Sequence, residues 1–459
     1  MKASRRELKF AAEHFGSVHH TTLNPEGPGV VRIHFIPAEP EGKYIPSGTA
    51  IINGQDLIPV NVSWSILLCI LTEEINVYSG KPINEAEADV IVAATCKRMK
   101  SVYPLTSKKR LARDIYRIMN AFSQIARGKP TEEEIGYVSI GDYAPYMKAP
   151  HRMDLMVSAM TKNGSWHCNQ RCVHCYAAGQ SGSSEEEMPT ERWKAVIDKC
   201  RLIKIPQVTF TGGEPTMRED LFELIEHAKW FVTRLNTNGI KLTREYCESL
   251  KRASLDSVQI TFYSSDKDVH NKLVGADGYD RTAAGIDNAI AAGLNVSVNT
   301  PLCVLNRDYV KTLEFLRDKG VIYVTCSGLI TTGNAELESS SSLQLSREEM
   351  SRILSDAAEF CFKNGMEISF TSPGWVEPEL CRELGLNTPC CGACLSNMAI
   401  SPGGNVVPCQ SWLSGPVLGS FLDSEWSDIW NGDDCVRIRE NSAAMSFECP
   451  LRKGKKEGK

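Results

Sequence analysis

Three cysteines, Cys168, Cys172 and Cys175, stand at Cys-x3-Cys-x2-Cys spacing, which lets one short loop wrap three thiolates around a single metal centre. A closed structural zinc site takes four nitrogen or sulfur ligands and a cubane cluster has four irons, so three thiolates leave one coordination position for another molecule. His167 and His174 lie inside the loop, but no fourth Cys or His follows it at ligand spacing, which counts against zinc. A second group is Thr211-Gly212-Gly213-Glu214-Pro215. Paired glycines let a backbone approach a ligand closely, and a carboxylate beside them suits an ammonium group.

A third group lies near the other end. Cys391 and Cys394 form Cys-x2-Cys, and Gly404 and Cys409 follow at Cys394-x9-Gly404-x4-Cys409 spacing. Met398 to Ser401 and Val406 to Cys409 read as a hairpin turning at Pro402-Gly403-Gly404-Asn405, which returns Cys409 toward Cys394. Cys449 can close a fourth corner. Cys390 is an alternative to Cys391, and Cys381 or Cys435 to Cys449; a zinc ribbon is the competing account of the whole region. Cys69, Cys96, Cys200, Cys247, Cys303 and Cys361 sit in apolar patterns and read as core residues, and Cys326 as a buried structural thiol.

The elements that must position these groups follow from periodicity. From about Asp154 to Cys326 strand and helix patterns alternate, with strands at Leu155–Met160, Gln207–Thr211, Val232–Asn236, Ser257–Tyr263, Leu294–Asn299 and Ile322–Cys326. Repeated βα units build a parallel sheet, hence a barrel or a doubly wound sheet. The three-cysteine loop follows the first strand and the Gly-Gly-Glu turn the second, as expected where reactive groups gather at the carboxyl ends of strands. Ahead of this core, Val30–Ile36 and Thr49–Ile52 read as strands and Val62–Thr72 and Glu85–Lys100 as helices. Ser107 to Arg127 reads as an amphipathic helix whose polar face carries Lys108, Lys109, Arg110, Arg113 and Arg117. The expected divisions are an α+β module at 1–104, a basic helix and connector at 105–153, the core at 154–335, a helical bridge at 336–386, a cysteine-rich domain at 387–451 and a charged tail at 452–459.

Composition bounds the function. The 459 residues carry a formal net charge of -5, which leaves no global cation excess to neutralise phosphates and argues against general nucleic-acid binding. The longest apolar runs are too short for a bilayer span, and the first residues lack the apolar run of a secretory signal. A cytoplasmic, reducing location is expected, in which 17 cysteines point to metal ligation rather than disulfides.

The cysteine loop, with His174 before its last cysteine and Tyr176 after it, followed by Gly-Gly-Glu-Pro, resembles the radical S-adenosylmethionine (SAM) superfamily over roughly residues 154 to 330. That resemblance implies a partial (β/α)6 TIM-like barrel. It implies that the three cysteines hold a 4Fe–4S cluster whose fourth iron binds SAM, and that one electron cleaves SAM to a 5′-deoxyadenosyl radical that abstracts a substrate hydrogen. Tyr176, Gly212, Gly213, Glu214 and Pro215 would bind SAM, as would Thr237 in the Thr237-Asn238-Gly239 turn, Thr261 and Asn299. The C-terminal segment resembles the SPASM auxiliary-cluster region or its shortened twitch form. It lacks the dense cysteine segment expected after Cys409, so one auxiliary 4Fe–4S cluster, on Cys391, Cys394, Cys409 and Cys449, is expected.

The resemblance implies oxidative modification of a peptide, with the first hundred residues resembling a leader-peptide binding element. Cofactor or tetrapyrrole biosynthesis on a small molecule is the alternative enzyme class, and a non-catalytic iron–sulfur carrier the alternative outside catalysis. Flavodoxin or ferredoxin is the electron donor the family implies. No residue stands out in the sequence as a catalytic base.

Overall fold

The computed structural model describes residues 2–23, 31–53, 56–78, 83–125, 129, 131–132, 135–137, 148–444 and 448–452. Most of the expected connector at 128–150, and the tail from 453 onward, lie outside the described residues. The chain divides into two compact units, one comprising 1–151 with 198–207 and 230–232, the other 152–197, 208–229 and 233–459.

The first unit opens with helix α1 (Arg5–His14), whose Ser4 and Glu7 form a capping box. Four strands follow as an antiparallel meander: β1 (His19–Leu23), β2 (Val31–Ile36), β3 (Gly48–Ile52) and β4 (Asp56–Val60). Helices α2 (Val62–Asn76), α3 (Glu85–Val102) and α4 (Lys108–Ile125) complete it. Asn61 caps α2 by accepting from the Trp64 amide, and α2 is so thoroughly buried that its apolar residues run almost all round it. Phe10, Phe15, Ile33, Phe35, Ile66 and Leu68 share its core. The two strands and two helices expected in the first hundred residues form; α1, β1 and β4 are additional. Pro59 stands in β4 without breaking the sheet because β4 is an edge strand, where a missing N–H is tolerated.

The second unit is organised by a ten-stranded sheet. The six expected core strands appear as β5 (Arg152–Ser158), β8 (Gln207–Gly212), β9 (Val232–Thr237), β10 (Ser257–Thr261), β11 (Asn295–Pro301) and β12 (Tyr323–Ser327), with a two-residue hairpin, β6 (Thr161–Lys162) and β7 (Ser165–Trp166), leading into the cysteine loop. They lie side by side in chain order. A doubly wound sheet reverses its order at a switch point, so unbroken order selects the open partial barrel. Strands β9 to β12 pair parallel in register.

Two extensions lengthen this series. In the segment expected as a helical bridge, helix Arg347–Lys363 starts at a Ser346 and Glu349 capping box, but β13 (Glu367–Phe370) then pairs parallel with β12. On the opposite side β14 (Asn397–Ile400) pairs parallel with β5, and β15 (Asn405–Val407) and β16 (Gly419–Ser420) continue antiparallel. The expected Pro402 to Asn405 hairpin turn joins β14 to β15. No helix among the described residues is long and apolar enough to cross a membrane.

Candidate functional site

A cavity of about 490 Å³ lies within the second unit, inside the range of about 300–1,000 Å³ usual for ligand sites. Cys168, Cys172 and Cys175 line it, as do Tyr176, Gly212, Gly213, Glu214, Thr237, Thr261 and Asn299. Pro215 is buried just behind, opening a short 3-10 turn. Cys390, Cys391, Cys409 and Cys449 line the same cavity. Two cysteine groups far apart in sequence therefore face one space.

The cysteine loop has little regular structure of its own, so neighbouring segments hold its backbone. Arg171 and Val173 donate their amides to the carbonyls of Val274 and Leu273 at 2.9 and 3.0 Å. The Asn334 amide donates to the Cys175 carbonyl at 2.9 Å, and its side chain donates to that of Cys172 at 3.1 Å. Gly333 (φ +59) allows this approach, because a Cβ there would stand 2.5 Å from both the Cys175 and Tyr176 carbonyl oxygens. Gln180, just past the loop, donates to the carbonyls of Tyr176 at 2.6 Å and Ser411 at 3.0 Å, and accepts from the amides of Leu413 and Ser414 at 3.0 and 2.9 Å. Glu185 accepts from Ser401, from the Gly403 amide at 3.1 Å and from Asn405 at 3.0 Å. These two side chains clamp the first cysteine region to the auxiliary hairpin.

The Gly-Gly-Glu turn is packed against the end of β5. A Cβ on Gly212 (φ +138) would stand 2.2 Å from the Ser158 carbonyl oxygen, and one on Gly213 2.8 Å from that of Ala159. Glu214 is buried, and one carboxylate oxygen accepts from the Thr216 amide and hydroxyl and from the Thr237 hydroxyl, at 3.1, 2.6 and 2.6 Å. The other accepts from the Asn238 amide at 2.8 Å, and the Asn238 side chain donates to Asn169, inside the cysteine loop, at 2.6 Å. Glu214 thus ties the second and third strand ends to the loop.

Burial raises the Glu214 pKa above the ordinary Glu value against the opposing pull of those hydrogen bonds. A carboxyl with a raised folded pKa adds stability that is complete below its unfolded pKa and declines as pH rises through the folded value. Glu214→Gln removes this titration and turns an acceptor into a donor. It should cost about 1–3 kcal/mol, with a smaller deficit near neutral pH than in mild acid, as read by denaturant unfolding of the apoprotein at both.

The thiols are held toward their protonated form. Burial, then the Glu214 carboxylate, pushes Cys168 up to about 12, and burial likewise raises Cys172 and Cys175. Burial pushes Cys409 up to about 12, with Cys391 and Cys449 in electrostatic reach. Cys394 departs from its neighbours: it is buried outside the cavity lining, at φ +55, and its thiol donates to Cys435. The pair splits, Cys394 moving up through that bond and burial, and Cys435 down as it accepts from Cys394 and from Arg439. Cys381 is buried in electrostatic reach of Cys326.

Several lining residues escaped the sequence reading. Arg234 is half-buried in the barrel with its Nε 3.5 Å from the Ser257 hydroxyl, Arg152 pairs with Asp154 at 2.9 Å, and the Arg452 guanidinium lies 4.7 Å over the Trp375 ring. Asn299 accepts from Thr325 at 2.8 Å, which in turn accepts from Gln259 at 3.3 Å. Their signal was the alternation Arg234, Asn236, Asn238 along β9 and its turn, repeated at Gln259 and Thr261: polar residues at every second position of core strands whose intervening residues are buried.

Residues 166–316 match the model of the radical SAM superfamily, and residues 390–450 that of the SPASM iron–sulfur cluster-binding domain. The chain thus carries a radical SAM domain followed by a SPASM domain, and these two domains imply 4Fe–4S clusters and SAM. It is 27% identical over 316 residues to an AdoMet-dependent heme synthase of Methanosarcina barkeri, covering 63% of this chain and 86% of that protein. It is 31% identical to the Fe-coproporphyrin III synthase of the same organism, over 42% of this chain and 49% of the relative. In fold it resembles Streptococcus suis SuiB bound to its precursor peptide SuiA, with a TM-score of 0.57 and 13% identity, covering 98% of this chain and 94% of SuiB.

The residues present suit such a group. Three thiols converge on one cavity, and beside them it is lined by Gly212 and Gly213, whose backbone packs so closely on Ser158 and Ala159 that neither has room for a Cβ. A coordinating metal supplies the positive charge that turns buried thiols into ligands.

Proposed function

We propose that the chain oxidatively modifies a peptide. Cys168, Cys172 and Cys175 hold the SAM-binding cluster, and Cys391, Cys394, Cys409 and Cys449 hold one auxiliary cluster. Tyr176, Gly212 to Pro215, Thr237, Thr261 and Asn299 bind SAM. When bound, the cluster and SAM supply a 5′-deoxyadenosyl radical that takes a hydrogen atom from the substrate.

The chain's own part is positional. The Glu214, Asn238 and Asn169 relay holds the SAM-side strand ends to the cysteine loop. Gln180 and Glu185 hold the auxiliary hairpin beside the same cavity, where a cluster on its cysteines would supply electron-transfer chemistry. Flavodoxin or ferredoxin supplies the electron that starts the cycle.

The observation that carries the peptide reading is the likeness over 98% of the chain to SuiB bound to its precursor peptide, a span that takes in the first unit. In that unit the β1 to β4 meander leaves β1 and β4 as edges on which an extended leader segment can add a strand. A second reading, a carboxylated macrocycle, is supported by Arg152, Arg234 and Arg452 in the cavity and by the heme synthase relative.

Anaerobic incubation of the reconstituted, reduced enzyme with SAM separates the two. One arm contains peptides encoded by short reading frames beside the gene, the other iron-coproporphyrin. The expected outcome is 5′-deoxyadenosine together with a loss of hydrogen from the peptide mass. Turnover of the porphyrin with every peptide unchanged would overturn the peptide reading, and no 5′-deoxyadenosine in either arm would favour the carrier.

A further inference from the structure

At one corner of the first unit's apolar core, four side chains with metal-ligating atoms converge. His14 ends α1, His19 opens β1, and Cys69 and Glu73 lie one turn apart on the same face of α2. We propose that His14, His19, Cys69 and Glu73 form a zinc site that fastens α1, β1 and α2 together. The proposal is independent of the radical chemistry.

Spacing is the first argument. His14 Nδ1 is 3.2 Å from Glu73 Oε1, Cys69 Sγ is 3.9 Å from that oxygen, and the ligand atoms of these three residues all lie within 4.8 Å of one another. His19 Nδ1 is 3.6 Å from Cys69 Sγ and 4.0 Å from Glu73 Oε1. Ligands held about 2.0–2.3 Å from a tetrahedral zinc ion are separated by about 3.3–3.8 Å. Four of the six pairwise separations, at 3.2 to 4.0 Å, therefore already stand close to the edge lengths of a zinc tetrahedron.

Orientation is the second. His19 Nε2 lies 2.7 Å from the His14 carbonyl oxygen, to which it can only donate, and this places the proton there and the lone pair on Nδ1. Nε2 also lies 3.1 Å from Cys69 Sγ, so the ring edge rests against the sulfur. Glu73 Oε2 accepts from Arg98 at 2.5 Å, while Arg98 also donates to Glu74 at 2.8 Å, leaving Oε1 turned toward the histidines and the thiol. An outer hydrogen bond that fixes the tautomer of a histidine, and an outer cation that fixes a carboxylate, are the supports that ligands of a metal ion require.

Charge is the third. One thiolate, one carboxylate and two neutral imidazoles balance a divalent ion, with Arg98 and Glu74 balancing each other outside. A mixed nitrogen, sulfur and oxygen set of four protein ligands is a closed site suited to zinc. Without an ion, the same atoms make only a hydrogen-bonded corner.

The test uses the full chain carrying its clusters. After incubation with zinc and removal of the excess, metal analysis should give about one zinc per chain, and X-ray absorption at the zinc edge should show a single sulfur among nitrogen and oxygen ligands. Cys69→Ala and His19→Gln should each lower zinc affinity at least about tenfold with iron content unchanged. Chelator-treated wild-type protein should melt at a higher temperature once zinc is restored, a readout that needs no variant. Absence of bound zinc, or zinc in an all-sulfur shell unmoved by His19→Gln, would overturn the proposal.

Discussion

Replacing Cys172 with alanine is expected to remove about four of roughly eight irons per chain and to lower 5′-deoxyadenosine formation by more than about a thousandfold, or about 4 kcal/mol of barrier. Cys172 is the middle thiol of the loop and packs beside Tyr263, Leu273 and Val274, where loss of one sulfur atom leaves the surrounding apolar contacts in place. The fold should therefore survive. Cys394→Ala is the informative partner. It should remove the other iron complement while substrate-independent SAM cleavage persists, because Cys394 is buried outside the cavity lining that the loop thiols share. Iron analysis and anaerobic chromatography read both results. Equal loss of 5′-deoxyadenosine in the two variants would show that the clusters are not independent.

The second large effect is expected at Gly212. A methyl group there meets the Ser158 carbonyl oxygen at 2.2 Å and the Ser158 nitrogen at 2.9 Å, and both obstacles are backbone. Moving them means moving the end of β5, from which the cysteine loop departs. The residue also sits at φ +138, which disfavours any L side chain. Gly212→Ala should thus cost about 3 kcal/mol or more and weaken SAM binding together with stability. Gly16→Ala is the contrast, since a Cβ there has nothing within 4 Å and no left-handed backbone to strain. Denaturant unfolding of the two apoproteins should separate them by nearly the whole effect.

Much of the core was legible because its signals are local. The βα alternation located all six strands within a few residues, and the Pro402 to Asn405 turn located the hairpin. Other elements carried weak patterns. Strand β1 reads His-His-Thr-Thr-Leu, with no apolar alternation to announce it, and β13 buries only two of its four residues. The clamps were beyond any local reading. Gln180 and Ser411 are 231 positions apart and Glu185 and Asn405 220, so nothing in the flanking sequence of either residue says where its partner lies. Arg234 was hidden for another reason: in a strand, an arginine at a lumen-facing position looks like one at a solvent-facing position until the sheet curls around it.

The pairing of β14 with β5 sets the order in which this protein can be completed. Arg152 finds its partner Asn397 only after about 245 further residues have been made. Until then the flank of β5 is a bare ladder of amides and carbonyls, open to the equivalent strand of a neighbouring chain. Contacts of such long sequence separation form slowly and expose unfinished chains to aggregation. A nascent chain stopped before β14 would keep its cysteine loop but lack the strand that shields it, so overproduction should favour inclusion bodies unless synthesis is slowed.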